Sequence, residues 1–142
     1  MGAVLAGCAL AWLTMLSVYD ICLRRLPNAL TLPGAAVVLI AAVVAGRGLP
    51  AVLGALLLFG GYLLVHVLAP GSMGAGDVKL ALGVGALTGA LGTDIWAVAA
   101  LAAPVGSALW AFISVGRGVK TTVPHGFSMC LATAVAGVMA IG

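Results

Sequence analysis

Hydrophobic residues fill this chain in long, nearly unbroken runs, which are separated by short breaks of glycine, proline and charged residues. A helix needs roughly 20 predominantly apolar residues to cross a bilayer, and Gly and Pro mark the ends of such helices. The pattern therefore predicts an all-α, polytopic membrane protein, a bundle of six transmembrane helices that forms a single domain over residues 1–142. The predicted spans are residues 3–19, 29–45, 51–69, 77–92, 95–115 and 124–141.

Composition favours a membrane protein over a soluble domain. The chain is 64% hydrophobic and only 6% charged, whereas a soluble domain carries about 25% charged residues. A cleaved secretory signal needs a positive residue before its apolar run. No such residue precedes the first run, so we interpret residues 3–19 as a first helix that is retained.

The basic residues predict the orientation of the bundle. Arg47 alone lies in an even-numbered connection, and the other five of the six basic residues lie in the first, third and fifth connections: Arg24, Arg25, Lys79, Arg117 and Lys120. Positive residues favour the cytoplasmic side, so we expect both termini outside and the odd-numbered loops inside. Anionic lipid headgroups explain the scattered positive charge. We expect the lipid bilayer as a partner and no nucleic acid.

Two of the three acidic residues fall at the same predicted membrane face. Asp20 follows the first run and Asp77 begins the fourth, so the orientation places both at the cytoplasmic boundary, where packing of spans one and four would bring them face to face. Charged residues at a bilayer are costly and are functional candidates. Two neighbouring carboxylates do not both ionise easily, so one keeps its proton while the other stays a base. Such a pair can activate water against a peptide carbonyl and protonate the leaving amine.

Each of these polar residues also has a purely structural explanation. Asp20 would pair with Arg24 at helical spacing, and Asp77 would cap the fourth helix. Lys79 would anchor the chain at lipid headgroups. The Pro27-Asn28 pair would only start the second helix, because Pro is favoured in a first helical turn.

The segments around the two aspartates resemble the active-site motifs of the prepilin peptidases, which are GxGD-type aspartic proteases of the inner membrane. That family has an Asp followed by Ile/Leu-Pro-Asn, and here these residues are Asp20, Leu26, Pro27 and Asn28. Its second motif, Gly-x-Gly-Asp-x-Lys-Leu, is matched by Gly74, Gly76, Asp77, Lys79 and Leu80. A third family segment, Ile-Pro-Phe-Gly-Pro, is similar to residues 123–127, although His125 and Phe127 depart from it.

The resemblance implies a membrane peptidase that removes the short leader of a pilin-like precursor at the cytoplasmic face of a bacterial or archaeal inner membrane. Asp20 and Asp77 would be the catalytic pair, and no metal or cofactor is expected. The residues expected to bind substrate or support the pair are Pro27, Asn28, Gly74, Gly76 and Lys79. Gly74 and Gly76 would let the backbone bend and an extended substrate approach.

The first loop is short and has no paired cysteines. It resembles that of the compact members that serve Flp-type (tight adherence) pili, rather than the larger members that also methylate the new N-terminus. We therefore expect no methyltransferase activity. Oligomeric state is left open.

Three alternatives compete with this function. A small ion or proton carrier would hold its carboxylates near the bilayer midplane. A non-catalytic subunit of a secretion system would tolerate loss of Asp20 or Asp77. An intramembrane protease for other helices would place Asp20 within a span.

The cysteines do not form the clustered ligand sets of metal sites. Cys8, Cys22 and Cys130 are far apart in the chain, so we predict neither zinc nor a structural disulfide. Two other polar residues have structural rather than functional explanations. His66 is expected to be packed or hydrogen-bonded within the third span, and Asp94 is expected to cap the fifth.

Two further features lie in the fourth and sixth spans. Gly85 and Gly89 form a GxxxG pattern, which predicts close helix packing. His125 lies at the cytoplasmic end of the sixth span and is a slightly more interesting candidate than His66.

Overall fold

A computed structural model describes residues 2–71, 73–118 and 125–141 of the chain. Within these ranges the chain forms helices and no strand, as predicted. The helices are α1 (Gly2–Leu23), α2 (Asn28–Val44), α3 (Gly48–Leu68), α4 (Ala75–Leu91), α5 (Thr93–Gly116) and α6 (His125–Ile141). Each predicted span corresponds to one helix. The largest difference is at α1, which continues to Leu23 instead of ending before Asp20.

The helix boundaries have local causes. Nothing in residues 20–23 breaks a helix, so α1 continues until Arg24, which takes a left-handed φ of 49°. A left-handed residue just after the last turn is a common helix ending. Pro27 precedes α2 as its N-cap residue in an extended conformation. Its carbonyl accepts backbone N–H groups from Leu30 and Thr31, so this proline does start the second helix.

Helix α4 lies at the centre of the bundle and packs against α2, α3, α5 and α6. Small residues let it approach α3 closely. A Cβ atom added to Gly85 would lie 2.9 Å from the Cα atom of Ala55, and one added to Gly89 would lie 3.1 Å from the Cα atom of Gly54. The predicted role of Gly85 and Gly89 in close helix packing is confirmed.

Helix α1 contacts α4 through side chains, but the backbones of the two helices are not close neighbours. Within the described residues its backbone neighbours are α6 and α2. The indole of Trp12 fills the space between α1, α2 and α4, where it lies against Gly34 and Gly83. Its Nε1 donates to the Leu30 carbonyl across 3.0 Å. The bulk of this side chain keeps the two backbones apart.

The outside of the bundle is largely apolar. Large hydrophobic side chains are more than half exposed on several helices, among them Val44, Leu57, Leu101 and Phe112. Soluble monomers rarely expose so much contiguous apolar surface, so these helices indicate a membrane protein. By length and composition, α1, α3 and α5 are long and apolar enough to cross a bilayer. The crossing of all six helices and the orientation of the termini stay predictions.

The end of the bundle at the α4–α5 connection is held by polar contacts to backbone carbonyls. Arg47 Nη1 donates to the Ala90 carbonyl across 2.9 Å, which places a positive charge at the C-terminus of α4, where the helix dipole favours it. The prediction that Asp94 caps α5 is wrong, because the N-cap residue is Gly92. Asp94 instead lies exposed in the first turn of α5.

Candidate active site

The two aspartates meet at the start of α6. Asp20 lies in the last turn of α1 and Asp77 in the first turn of α4. A Cβ atom added to Gly126 would lie 3.0 Å from Oδ2 of Asp20 and 3.2 Å from Oδ1 of Asp77. The two carboxylate oxygens are therefore no farther apart than the sum of those two distances. This glycine lies between the two acidic groups, where a larger residue would separate them.

Asp20 is held by the backbone of the sixth helix. The carboxyl group is nearly inaccessible, since the residue is only 7% exposed, and its Oδ2 accepts the N–H of Phe127 across 2.8 Å. A negative charge in the last turn of its own helix is unfavourable, whereas one at the N-terminus of another helix is favourable. The start of α6 therefore offsets the poor position of Asp20 in α1. Asp20 is not a loop residue, as the sequence suggested, but a helical one.

Asp77 is held by the turn that precedes α4. Gly74 is the N-cap residue, with φ of −75° and ψ of 150°, and its carbonyl accepts the Asp77 N–H across 3.2 Å. The Gly74 backbone also hydrogen-bonds to the Asp77 carboxyl group. An acidic side chain three residues into a helix commonly returns to the N-cap backbone in this way. Asp77 is therefore not the N-cap residue of α4 but its third residue, and its contact with the Gly74 backbone is compatible with its place in the site.

The two sequence motifs contact each other. A Cβ atom on Gly76 would lie 3.2 Å from the Cβ atom of Leu26, so the second motif packs on the first where its glycine lacks a side chain. Lys79 Nζ donates to Asn28 Oδ1 across 2.9 Å. This bond ties the start of α2 to the first turns of α4.

A third group of polar residues lies beside the aspartates and was not found from the sequence as a group. His125 Nδ1 is 2.6 Å from the Ser107 hydroxyl oxygen, and His125 Nε2 is 3.1 Å from the Tyr62 hydroxyl oxygen. The Tyr62 hydroxyl is close enough to Asp77 for the carboxylate charge to act on it. Only His125 carried a signal in the sequence, as a departure from the family segment. Residues 123 and 124 of that segment lie outside the described residues.

The floor of the site is a buried thiol. Cys130 lies one turn after Gly126 in α6 and is 1% exposed. The Ser17 hydroxyl, which donates to the Leu13 carbonyl across 2.8 Å, lies near the Cys130 sulfur. Its thiol is close enough to Asp20 and Asp77 to sense their charge. Cys8 and Cys22 are exposed free thiols. No group of three His, Cys, Asp or Glu residues that would hold a metal ion occurs in the described ranges.

His66 contacts the segment that immediately precedes the second motif. Its Nδ1 is 2.9 Å from the carbonyl oxygen of Met73, the residue before Gly74. The prediction of a hydrogen-bonded histidine in the third helix is confirmed. The contact links the end of α3 to the turn that positions Asp77.

Comparison with known protein families gives a match over most of the chain. The model of the type IV leader peptidase family matches residues 8–141. The chain belongs to the type IV leader peptidase family. The match covers α2 to α6, most of α1, and both Asp20 and Asp77, and it confirms the resemblance that the motifs carry. No curated protein and no solved structure matches the chain. A type IV leader peptidase is a protease, and the apolar helices agree with a protease of the membrane.

Proposed function

We propose that this type IV leader peptidase is an aspartic endopeptidase that cleaves the leader from Flp-type pilin precursors, with Asp20 and Asp77 as its catalytic pair. The observation that carries the proposal is the place of Gly126, which has one oxygen of each aspartate close to it. Residues from opposite parts of the sequence converge there. Paired carboxylates in a shielded site are a recognised arrangement for acid–base chemistry at one bond.

The chemistry needs the pair to hold one proton in total. The ionised carboxylate takes a proton from water as the oxygen attacks the scissile carbonyl carbon. The protonated carboxyl group gives its proton to the leaving nitrogen, and the C–N bond breaks. One carboxyl has then gained a proton and the other has lost one, so the pair is restored for another turnover. The products are the carboxylate of the leader and the free amine of the mature protein.

The charge distribution supports a cytoplasmic site. Arg24, Arg25 and Arg117 follow helices that end on the side of the bundle where the aspartates lie, and Lys79 lies one turn into α4 on that side. Among the basic residues that the structure describes, Arg47 alone lies at the other end, at the C-terminus of α4. Positive residues favour the cytoplasmic side. We therefore place the active site at the cytoplasmic face of a bacterial or archaeal inner membrane.

The short first connection supports a compact, Flp-type enzyme. Only residues 24–27 separate α1 from α2, so this loop has no space for a cysteine-rich insertion. We therefore assign cleavage without methylation of the new N-terminus. Pro27, Asn28, Gly74, Gly76 and Lys79 shape the rim of the site, and an extended peptide would approach along it.

Co-expression with an Flp-type precursor tests the proposal. The variants Asp20→Asn and Asp77→Asn keep the shape of each side chain but remove its acid–base function, so each should leave the precursor at full length on a gel. Asp94→Asn is the matched control, because Asp94 is the third aspartate and lies exposed beyond the opposite end of α4. Normal cleavage by either of the first two variants would refute the pair. It would favour a non-catalytic subunit or an ion carrier.

The helical position of Asp20 is also compatible with one alternative function, that of a protease that cuts other helices inside the bilayer. Asp20 lies within α1, as that alternative predicts, but only three residues from its end, or about 4.5 Å along the helix axis. The mass of the mature product separates the two. A cut before the hydrophobic segment of the precursor supports leader removal, and a cut inside that segment supports the alternative.

A further inference from the structure

We propose that His125 is a positioning residue for leader cleavage, which holds the start of α6 against the aspartates through hydrogen bonds to Ser107 and Tyr62. The inference rests on the proposed function and adds a residue that neither aspartate motif contains. The three side chains come from α5, α6 and α3. They form a continuous polar chain at the edge of the site.

The hydrogen bonds that link Ser107, His125 and Tyr62 are specific to an imidazole ring at the central position. Both ring nitrogens have hydroxyl partners, Ser107 at 2.6 Å and Tyr62 at 3.1 Å. A neutral imidazole has one donor and one acceptor nitrogen, and a hydroxyl can either donate or accept. Both bonds can therefore form with either tautomer. A phenylalanine at this position, the residue of the family segment, would form neither.

The position of His125 in the sequence connects it to the residues that contact the two aspartates. The next residue is Gly126, which lies between the carboxylates, and the one after it is Phe127, whose N–H binds Asp20. Fixing the ring of His125 on α5 and α3 therefore fixes the backbone that separates and orients the catalytic oxygens. Small displacements of reacting groups have large effects on rate, on the order of 100-fold for about 1 Å.

Tyr62 provides a second connection between His125 and the aspartates. Its side chain is only 8% exposed, its ring packs on that of His125 with centroids 5.4 Å apart, and its hydroxyl lies within reach of the charge of Asp77. One chain of contacts thus runs from Ser107 through His125 and Tyr62 toward Asp77. A second runs from His125 through the backbone to Asp20. The histidine acts on both carboxylates without contacting the substrate.

The test uses purified full-length protein in lipid vesicles and a synthetic Flp-type precursor peptide, with kcat and KM measured separately. For His125→Phe we expect kcat to fall on the order of 10- to 100-fold while KM stays near the wild-type value, because the rim that binds peptide is unchanged. The side-chain amide of an asparagine lies near the position of the histidine Nδ1 atom. The side-chain amide of a glutamine lies near the position of the histidine Nε2 atom. His125→Asn should therefore rescue the Ser107 bond, and His125→Gln the Tyr62 bond, each restoring part of kcat.

Single-hydroxyl variants keep the inference testable if His125→Phe does not fold. Ser107→Ala and Tyr62→Phe each remove one hydroxyl, and each should lower kcat. Combined with His125→Phe, neither should lower it further, since the chain is already broken. Wild-type kcat in His125→Phe, or in both hydroxyl variants, would overturn the inference.

Two reference variants separate this inference from the proposed function. Asp20→Asn should abolish cleavage and Asp94→Asn should leave it unchanged. If Asp20→Asn is inactive but His125→Phe has wild-type kcat, only the positioning role fails. If Asp20→Asn cleaves normally, the proposed function fails and the positioning role falls with it.

Discussion

The N–H of Phe127 donates to Oδ2 of Asp20 across 2.8 Å, joining two residues that are 107 positions apart in the chain. This bond brings the N-terminus of the last helix to a carboxyl group on the first. An ionised carboxylate is stabilised by the N–H groups of a helix N-terminus. The contact therefore explains how a nearly buried acidic group is tolerated in a bundle with an apolar surface.

Substitution of Gly126 by alanine should greatly reduce cleavage. The added methyl group would lie 3.0 Å from Oδ2 of Asp20 and 3.2 Å from Oδ1 of Asp77, so the aspartates must move apart or α6 must withdraw. We expect a loss of roughly 10- to 100-fold in kcat/KM, measured on a precursor peptide. Gly61→Ala is the control, because an added Cβ there meets nothing within 4 Å. Equal activity in the two variants would contradict the close approach at Gly126.

Substitution of Gly85 by alanine should destabilise the fold. The new Cβ would lie 2.9 Å from the Cα atom of Ala55, and backbone atoms give way less easily than side chains. Overpacking of this kind costs about 1–3 kcal/mol, which thermal unfolding in detergent can measure. Gly60→Ala in α3, where an added Cβ has open space, should unfold like the wild type or at a higher temperature. A neutral effect of Gly85→Ala would show that α3 and α4 are less tightly packed.

The Lys79–Asn28 bond should contribute little to stability but should behave as a coupled pair. Lys79 Nζ and Asn28 Oδ1 are 2.9 Å apart in an exposed position. A contact made by a charged group at the surface contributes less than about 1 kcal/mol to the free energy of unfolding. Lys79→Met and Asn28→Ala should each have a small effect on unfolding, and the double variant should lose less than the sum of the two. Strictly additive losses would show that the bond makes no contribution in the lipid-bound protein.

Cleavage should be fastest at an intermediate pH and slower on both sides. At low pH both carboxyl groups are protonated, so no base is present, and at high pH both are ionised, so no acid is present. The rate profile of kcat/KM should therefore be bell-shaped. His125→Gln serves as the control, because it should lower the height of the bell and leave both limbs in place. A limb that disappears in that variant would belong to the histidine and not to the aspartates.

Much of the fold could be predicted from the sequence, because long apolar runs and their Gly and Pro breaks are local signals. The six helices and the pairing of Asp20 with Asp77 fall in this class. The end of α1 was misplaced because the charge of Asp20 looked like a break, although residues 20–23 continue a helix and Arg24 provides the left-handed ending. A single charged residue is therefore a poor marker of a helix end.

The contacts that complete the site depend on packing and had no local signal. The sequence predicts that α1 and α4 pack together, but it does not show that Trp12 occupies the space between their backbones. The start of α6 then becomes the element that brings the aspartates together. Ser107 and Tyr62 are an ordinary serine and tyrosine in apolar runs, and only their shared contact with His125 distinguishes them.

Each of the six helices supplies one side chain to the same end of the bundle, namely Asp20, Asn28, Tyr62, Asp77, Ser107 and His125. The helix that brings Gly126 between the carboxylates is also the one that follows the other five in the chain. Helices α1 to α5 alone therefore contain Asp20 and Asp77 but lack the glycine that lies between the two carboxyl groups. Under the proposed function, the catalytic arrangement is therefore complete only when α6 has packed against the helices that hold the two aspartates.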